Sequence, residues 1–198
     1  MKNNFTFRLL GTAMPILVKK ALPTREIRRA TVREYRVICR RAKDIGAKDP
    51  WLSCYALGAW FIAMVRCDGL SPEENMQIME QGMKGSRLFR MFMGSGDSFI
   101  ARNVPGGKVE KWIADNAAHP CENGWERTLL PPSPDYAIAF DFTACGICKL
   151  CQDEGCPSLA RYLCKLDYAL AEMMGLRLER TTTLADGGKR CDFRYHRL

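Results

Sequence analysis

Apolar positions in the first half of the chain recur at helical spacing. From Thr24 to about Lys43 they fall at Ile27, Ala30, Val32, Tyr35, Val37 and Ile38, which predicts an amphipathic helix. Asp49-Pro50 reads as an N-cap followed by proline at the first helical position. The segment it opens, Trp51 to Val65, is apolar nearly all round, the pattern of a buried central helix. Ser71-Pro72-Glu73-Glu74 is a capping box, in which serine and glutamate each satisfy an orphan amide. It predicts a helix to about Met83, with Met76, Met79 and Met83 as core filler. Gly94-Ser95-Gly96 and Val104-Pro105-Gly106-Gly107 interrupt the chain, and a short helix fits between them. Neither glycine pair has the lysine or the strand–helix setting of a phosphate loop.

Beyond residue 120 the period changes. Gly124 to Leu130 and Asp135 to Thr143 read as strands joined by the proline-rich Pro131–Pro134. In the second of them Tyr136, Ile138, Phe140 and Phe142 alternate with smaller or polar residues. Pro157 opens a helix reaching Met174, closed by Gly175 in a left-handed cap. Leu176 to Leu184 and Arg190 to His196 then predict a hairpin across Asp186-Gly187-Gly188. The expected fold is α+β, a helical N-terminal half packed on a small antiparallel sheet of β-β-α-β-β order. Residues 1–23 read as an N-terminal arm. Residues 24–198 read as one domain, helical over 24–115 and cysteine-rich over 120–198.

Composition narrows the class. The 198 residues suffice for one ordinary domain with a full core, and 47% apolar with 26% charged residues is globular usage. No apolar run approaches the roughly 18–20 residues of a membrane span. Lys19 and Lys20 interrupt the short apolar stretch of the arm, and no cleavage pattern follows it. Close C-x-x-C pairs without signs of export point to a reducing cytoplasm. The net charge of +8 is concentrated in the stretch from Arg25 to Lys43. A basic helix can meet nucleic acid or an acidic membrane surface. Here no aromatic residues interleave with the charges and no DNA-binding motif is present. A nucleic-acid partner is therefore not expected. A solvated helix face, or a positive field for a small-molecule carboxylate substrate, accounts for the charge, and a homo-oligomer is compatible with it.

The candidate chemistry is sulfur chemistry. Six of the ten cysteines lie beyond residue 144, four of them in the run Cys145-x2-Cys148-x2-Cys151-x4-Cys156-Pro157. This is close to the bacterial ferredoxin spacing, with one extra residue before the last cysteine. It predicts a metal centre, a [4Fe-4S] cluster or Zn, to which Cys164 or Cys191 could add a ligand. The competing account is thiols buried as small hydrophobes. The layout puts Cys148, Cys151 and Cys156 in a loop before the helix, and Cys164 and Asp167 on one helix face. Cys191 and Asp192 project from opposite faces of the last strand. Cys164, Asp167 and Asp192 are the catalytic candidates. Thiolates and a carboxylate could hold a metal with a position open for water, with Asp167 or Asp192 accepting its proton. Alternatively a free Cys164 near a helix start acts as nucleophile. The plainer alternative has Asp167 facing water and Asp192 paired with Arg194 or Arg180. Arg180 and Arg194 could clamp a substrate carboxylate, with Thr183 beside them. The two histidines, His119 and His196, have no triad or ligand spacing. Cys39, Cys54 and Cys67 fall on helices at wide spacing, as core residues do.

Several blocks together resemble one family. These are Phe142-Thr143-Ala144-Cys145, Gly155 with Pro157-x-Leu159, Leu163-Cys164-x-x-Asp167, Arg180-x-x-Thr183-Leu184-Ala185-x-Gly187-Gly188 and Cys191-Asp192-Phe193-Arg194. In order and spacing they are similar to the L-2-amino-thiazoline-4-carboxylic acid hydrolase family over about residues 120–198. The resemblance implies hydrolytic opening of a thiazoline ring to give N-carbamoyl-cysteine. It also implies that Cys145, Cys164 and Cys191 are shared with relatives, whereas Cys148, Cys151 and Cys156 are an elaboration that raises the prospect of an iron–sulfur cluster. The C-terminal part is also similar to vinyl-reductase-type ligand-binding domains, through Cys164, Gly175, Gly187 and Cys191-Asp192-Phe193. That likeness implies a Cys164–Cys191 partnership, and with the cysteine run leaves open a non-catalytic iron–sulfur or zinc-bearing module that senses a small molecule or redox state.

Overall fold

Thr24 starts the first predicted helix as expected, its hydroxyl accepting from the amide of Ile27 at 3.1 Å. The computed structural model describes residues 5–17, 24–46, 48–118 and 121–198; Lys19, Lys20 and His119 lie outside them. The front half is α1 (Phe5–Leu17), α2 (Arg25–Arg41), α3 (Leu52–Cys67), α4 (Pro72–Gly85), α5 (Arg87–Met93), α6 (Gly96–Asn103) and α7 (Lys108–Asn116). Then come β1 (Glu126–Leu129), β2 (Ile138–Ala144), α8 (Gly146–Asp153), α9 (Ala160–Met173), β3 (Leu176–Glu179) and β4 (Cys191–Arg197). Among the described residues no helix is long and apolar enough to cross a membrane.

α3 is the buried helix its composition demanded, with Tyr55 to Met64 all inside. Tyr35 of α2 meets Trp60 edge-on at 5.3 Å between ring centroids. On its other side Gly58 lets α8 come close, since a Cβ there would stand 2.8 Å from Ile147 Cδ1. α4 carries both halves of its capping box, Glu74 N to Ser71 Oγ and Ser71 N to Glu74 Oε2, and buries Met76, Met79 and Met83.

The sheet is antiparallel throughout, in the order β1-β2-β4-β3, so the chain is α+β. β2 and β4 pair Ile138 with Tyr195, Phe140 with Phe193 and Phe142 with Cys191, which places these six on one buried face. The opposite face pairs Ala139 with Arg194 and Asp141 with Asp192. Gly96 at the start of α6 donates to Met174 O at 2.7 Å, anchoring the front half where α9 ends.

Three expectations are corrected. The 145–156 run is not a loop. Ile147, Leu150 and Cys151 recur at helical spacing and pack toward the α3 core, so α8 forms and the order becomes β-β-α-α-β-β. Cys148 and Cys151 are thus helical, Cys145 is the N-cap and Cys156 follows the helix. The strand from Leu176 stops at Glu179 instead of reaching Leu184. The Asp192 carboxylate takes the amides of Thr181 and Thr182 at 2.9 and 2.7 Å and the Thr181 hydroxyl at 2.6 Å, which peels that segment off the ladder. α3 begins at Leu52, because Asp49 Oδ1 accepts from Trp51 N at 2.7 Å and closes a turn ahead of the helix.

Candidate functional site

Two thiol pairs occupy the two ends of α8. Cys145 lies directly after β2, where Gly146 is pressed against Trp125; a Cβ at that glycine would fall 2.6 Å from the indole. The Cys148 thiol, one turn on, faces Cys145 and holds its pKa below the ordinary thiol value despite burial. The amides of Ile147 and Cys148 add to this electrostatically without closing a full cap hydrogen bond. Cys148 is pushed far up by the same contact and by burial. At the other end Cys151 is fully buried and faces Cys156. That contact, opposed by burial and helped by Arg66 and Arg41, brings the Cys156 thiol down to about 7. As the side chains stand the thiols pair two and two. Among the described residues no group of three or more Cys, His, Asp or Glu converges as metal ligands must.

A cleft of about 630 Å³ opens between α9 and the segment that follows β3. One wall is a stripe of α9, Arg161, Cys164, Lys165 and Tyr168; the other is Thr181–Thr183 and Asp186–Gly188. Arg180 joins the two. Its side chain is 3% exposed, and it donates to Asp167 Oδ2 at 2.8 Å and to Cys164 O at 2.7 Å. It lies between the Phe193 ring at 4.8 Å and the Tyr168 ring at 5.2 Å. Its Nε has no partner among the described residues. Opposite, the Thr183 hydroxyl donates to Asp186 Oδ2 at 2.6 Å and accepts from Asp186 N at 3.1 Å. Gly188 N closes the loop on Thr183 O at 2.9 Å.

The expected site residues divide accordingly. Cys164, Arg180 and Thr183 line the cleft together. Burial first, then Asp167, pushes the Cys164 thiol well above its ordinary pKa, so it stays protonated at neutral pH. Asp167 stands behind Arg180. Burial raises its carboxyl above the ordinary carboxylate value, and Arg180 pulls the other way at 2.8 Å. Cys191 is buried behind the loop, accepts from Leu184 N at 3.2 Å and is raised to about 11, mainly by burial. Asp192 is neither free nor paired with an arginine. Burial opposes its ionisation, but the bonds from Thr181 and Thr182 win and lower its pKa, so it shapes the cleft wall. Arg194 lies on the other face of the sheet, bound to Asp141 at 2.9 Å, and does not line the cleft. Cys145, Cys148, Cys151 and Cys156 do not line it either.

Sequence reasoning passed over Asp186, Arg161, Lys165 and Tyr168. Thr183-x-x-Asp186 is itself a capping signature, and Arg161, Lys165 and Tyr168 recur at i, i+4 and i+7 on α9. Cys54 lies part-buried on α3 and does not line the cleft. Burial, then Asp167, pushes its thiol up to about 12. Cys121 donates to Asp44 O at 3.3 Å.

Compared with known proteins, residues 53–195 match the family model described as L-2-amino-thiazoline-4-carboxylic acid hydrolase. The match spans α3 to β4 and so takes in both walls of the cleft. No curated protein and no solved structure matches the chain.

Proposed function

Because the chain belongs to the L-2-amino-thiazoline-4-carboxylic acid hydrolase family, we propose that it opens a small cyclic amidine carboxylate of the thiazoline type by hydrolysis. The cleft beside α9 is the site. Arg180 carries this reading, a buried guanidinium held by Asp167 and Cys164 O whose Nε stands unpartnered in a residue that lines the cleft. A buried donor left unmet costs about 1–3 kcal/mol, which an acceptor atom on a ligand recovers.

The reaction adds water to the ring carbon between nitrogen and sulfur and then breaks the C–S bond. Asp186, whose Oδ2 is oriented by the Thr183 hydroxyl, takes the proton of the attacking water. As the C=N electrons move onto the ring nitrogen, Arg180 Nε donates to it. Collapse to the carbonyl passes the remaining hydroxyl proton to the ring nitrogen and breaks the C–S bond, and the sulfur leaves as a thiolate that receives the proton held on Asp186. Cys164, kept as a thiol, offers its S–H to the departing sulfur and is not the nucleophile. Lys165 and Arg161 at the rim pair with the substrate carboxylate. Asp167 is a positioning residue for Arg180. The thiols of α8 pair instead of converging, so no step is routed through a metal.

The test is turnover of L-2-amino-thiazoline-4-carboxylate by the full chain, read as free-thiol release and as N-carbamoyl-cysteine by mass spectrometry. Arg180→Lys and Asp186→Asn should each lose most of the activity while folding normally. Wild-type turnover in both would remove the chemistry from this cleft, and a wild-type chain inert on cyclic amidine carboxylates would refute the hydrolase reading.

A further inference from the structure

α8 ends in a Schellman motif with cysteines at its two contact positions. Cys156 N donates to Cys151 O at 2.8 Å, and Gly155 N donates to Gln152 O at 3.0 Å. Gly155 adopts the left-handed conformation, at φ +70, that this closure requires. The motif folds the side chains five positions apart against each other, usually as an apolar contact. Here the two contact positions are Cys151 and Cys156, brought side by side by that backbone bond, and each thiol acts on the other electrostatically. Two residues joined by such an amide–carbonyl bond have Cα atoms in the range a disulfide needs, about 4.4–6.8 Å.

The surroundings of the two sulfurs differ as an attacking and a resolving thiol require. Cys151 is buried, while Cys156 is partly exposed. Arg66 holds the turn between them, donating to Glu154 O at 2.6 Å and to Glu154 Oε2 at 2.8 Å. Arg41 binds the same carboxylate, whose side chain is 2% exposed. Both guanidiniums favour the Cys156 thiolate electrostatically, and the Glu154 carboxylate between them opposes it. The pair lies outside the cleft and the hydrolytic steps do not use it.

We propose that Cys151 and Cys156 form a redox-active dithiol that exchanges with a small-molecule disulfide of the oxidised-glutathione class. Cys156 gives up its proton to solvent and its Sγ attacks one sulfur of the disulfide. That S–S bond breaks, one small thiolate leaves, and a mixed disulfide remains on Cys156. Cys151 then loses its proton and attacks Cys156 Sγ, and the second small thiol departs. Two protein thiols are oxidised to one disulfide and one small disulfide is reduced to two thiols. The new bond would tie the end of α8 to the turn that leads into α9, the helix that walls the cleft.

The experiment equilibrates the reduced full chain in a series of reduced-to-oxidised glutathione ratios, quenches by alkylation and maps the peptides by mass spectrometry. We expect a Cys151–Cys156 disulfide that appears over one ratio range, before bridges at other positions. Cys151→Ser should accumulate glutathione on Cys156, whereas Cys156→Ser should leave Cys151 unmodified. Should Cys151→Ser fail to fold, Cys151→Ala gives the same readout. The proposal falls if both thiols remain alkylatable throughout, if the bridge forms elsewhere, or if bound iron or zinc blocks the pair in the purified protein.

Discussion

α3 and the cleft beside α9 each bury a nitrogen donor without a partner among the described residues, Trp60 Nε1 in the first and Arg180 Nε in the second. Trp60 is 0% exposed, against the Tyr35 ring, on a helix whose residues from Tyr55 to Met64 are all buried. A ligand has no route to it. Arg180 is almost as buried, but it stands at an open cleft with a basic rim and a carboxylate across from it. The same unmet donor is a cost borne by packing in one region and, on the function proposed above, a recognition feature in the other. The difference is the open cleft that Arg180 lines.

The largest effect we expect tests the packed side. Trp60→Ala should cost about 3–5 kcal/mol of stability, read from denaturant unfolding, because it removes a fully buried indole and leaves a cavity. A loss under about 1 kcal/mol would mean α3 is not the core it is taken for. Next comes the cleft, where Asp186→Asn should lower thiazoline turnover about a hundredfold, near 2.7 kcal/mol in barrier. Its unfolding midpoint should not move, since the residue is exposed. Equal losses of stability and activity would erase the contrast between the regions.

Gly188→Ala sharpens the comparison at the cleft wall. The added Cβ would stand 2.8 Å from Thr183 O and nearer still to Thr182 Oγ1, so the loop must shift. About tenfold lower turnover is expected, with a stability loss of roughly 1–2 kcal/mol. Unchanged kinetics would show that the wall's shape is irrelevant.

The smallest effect is pH-dependent and lies at the turn ahead of α3. Burial raises Asp49 to about 6 from the ordinary 3.8, with the Trp51 amide pulling the other way. The folded chain thus holds this proton more tightly than the unfolded chain. The stability from this group is full below about pH 4 and is lost as pH rises through 6. Its Oδ2 is buried without a partner among the described residues. Asp49→Asn should therefore gain about 1 kcal/mol at pH 7 and nothing at pH 4. A gain that persists at pH 4 would assign the effect to something other than ionisation.

Legibility varied with how local the cause was. The Thr24 cap, the Ser71 box, the methionine spacing of α4, the left-handed Gly175 and the alternation of β2 and β4 depend on neighbours a few residues away. All could be read from the chain. α8 was hidden because its cysteines suggested ligand spacing while Ile147, Leu150 and Cys151 carried the helical period that buries it beside Gly58. Within the cleft, Cys164, Arg180 and Thr183 were found through motif blocks. Asp186 was not, because its cap signature looked like ordinary turn chemistry.

By itself the sequence determined the α+β class, the buried central helix, the antiparallel strands and membership of a thiazoline-hydrolase family, since periodicity, caps and ordered motif blocks are properties of short stretches. Only the tertiary structure decided which polar groups meet. It brought Arg180 to Asp167 in the middle of α9, Glu154 to Arg66 and Arg41 from distant helices, and Asp192 to the amides just beyond β3. Those partners are chosen by burial. A charge or amide withdrawn from water must find whichever complementary group the packed chain sets beside it, and the local sequence does not encode that distance.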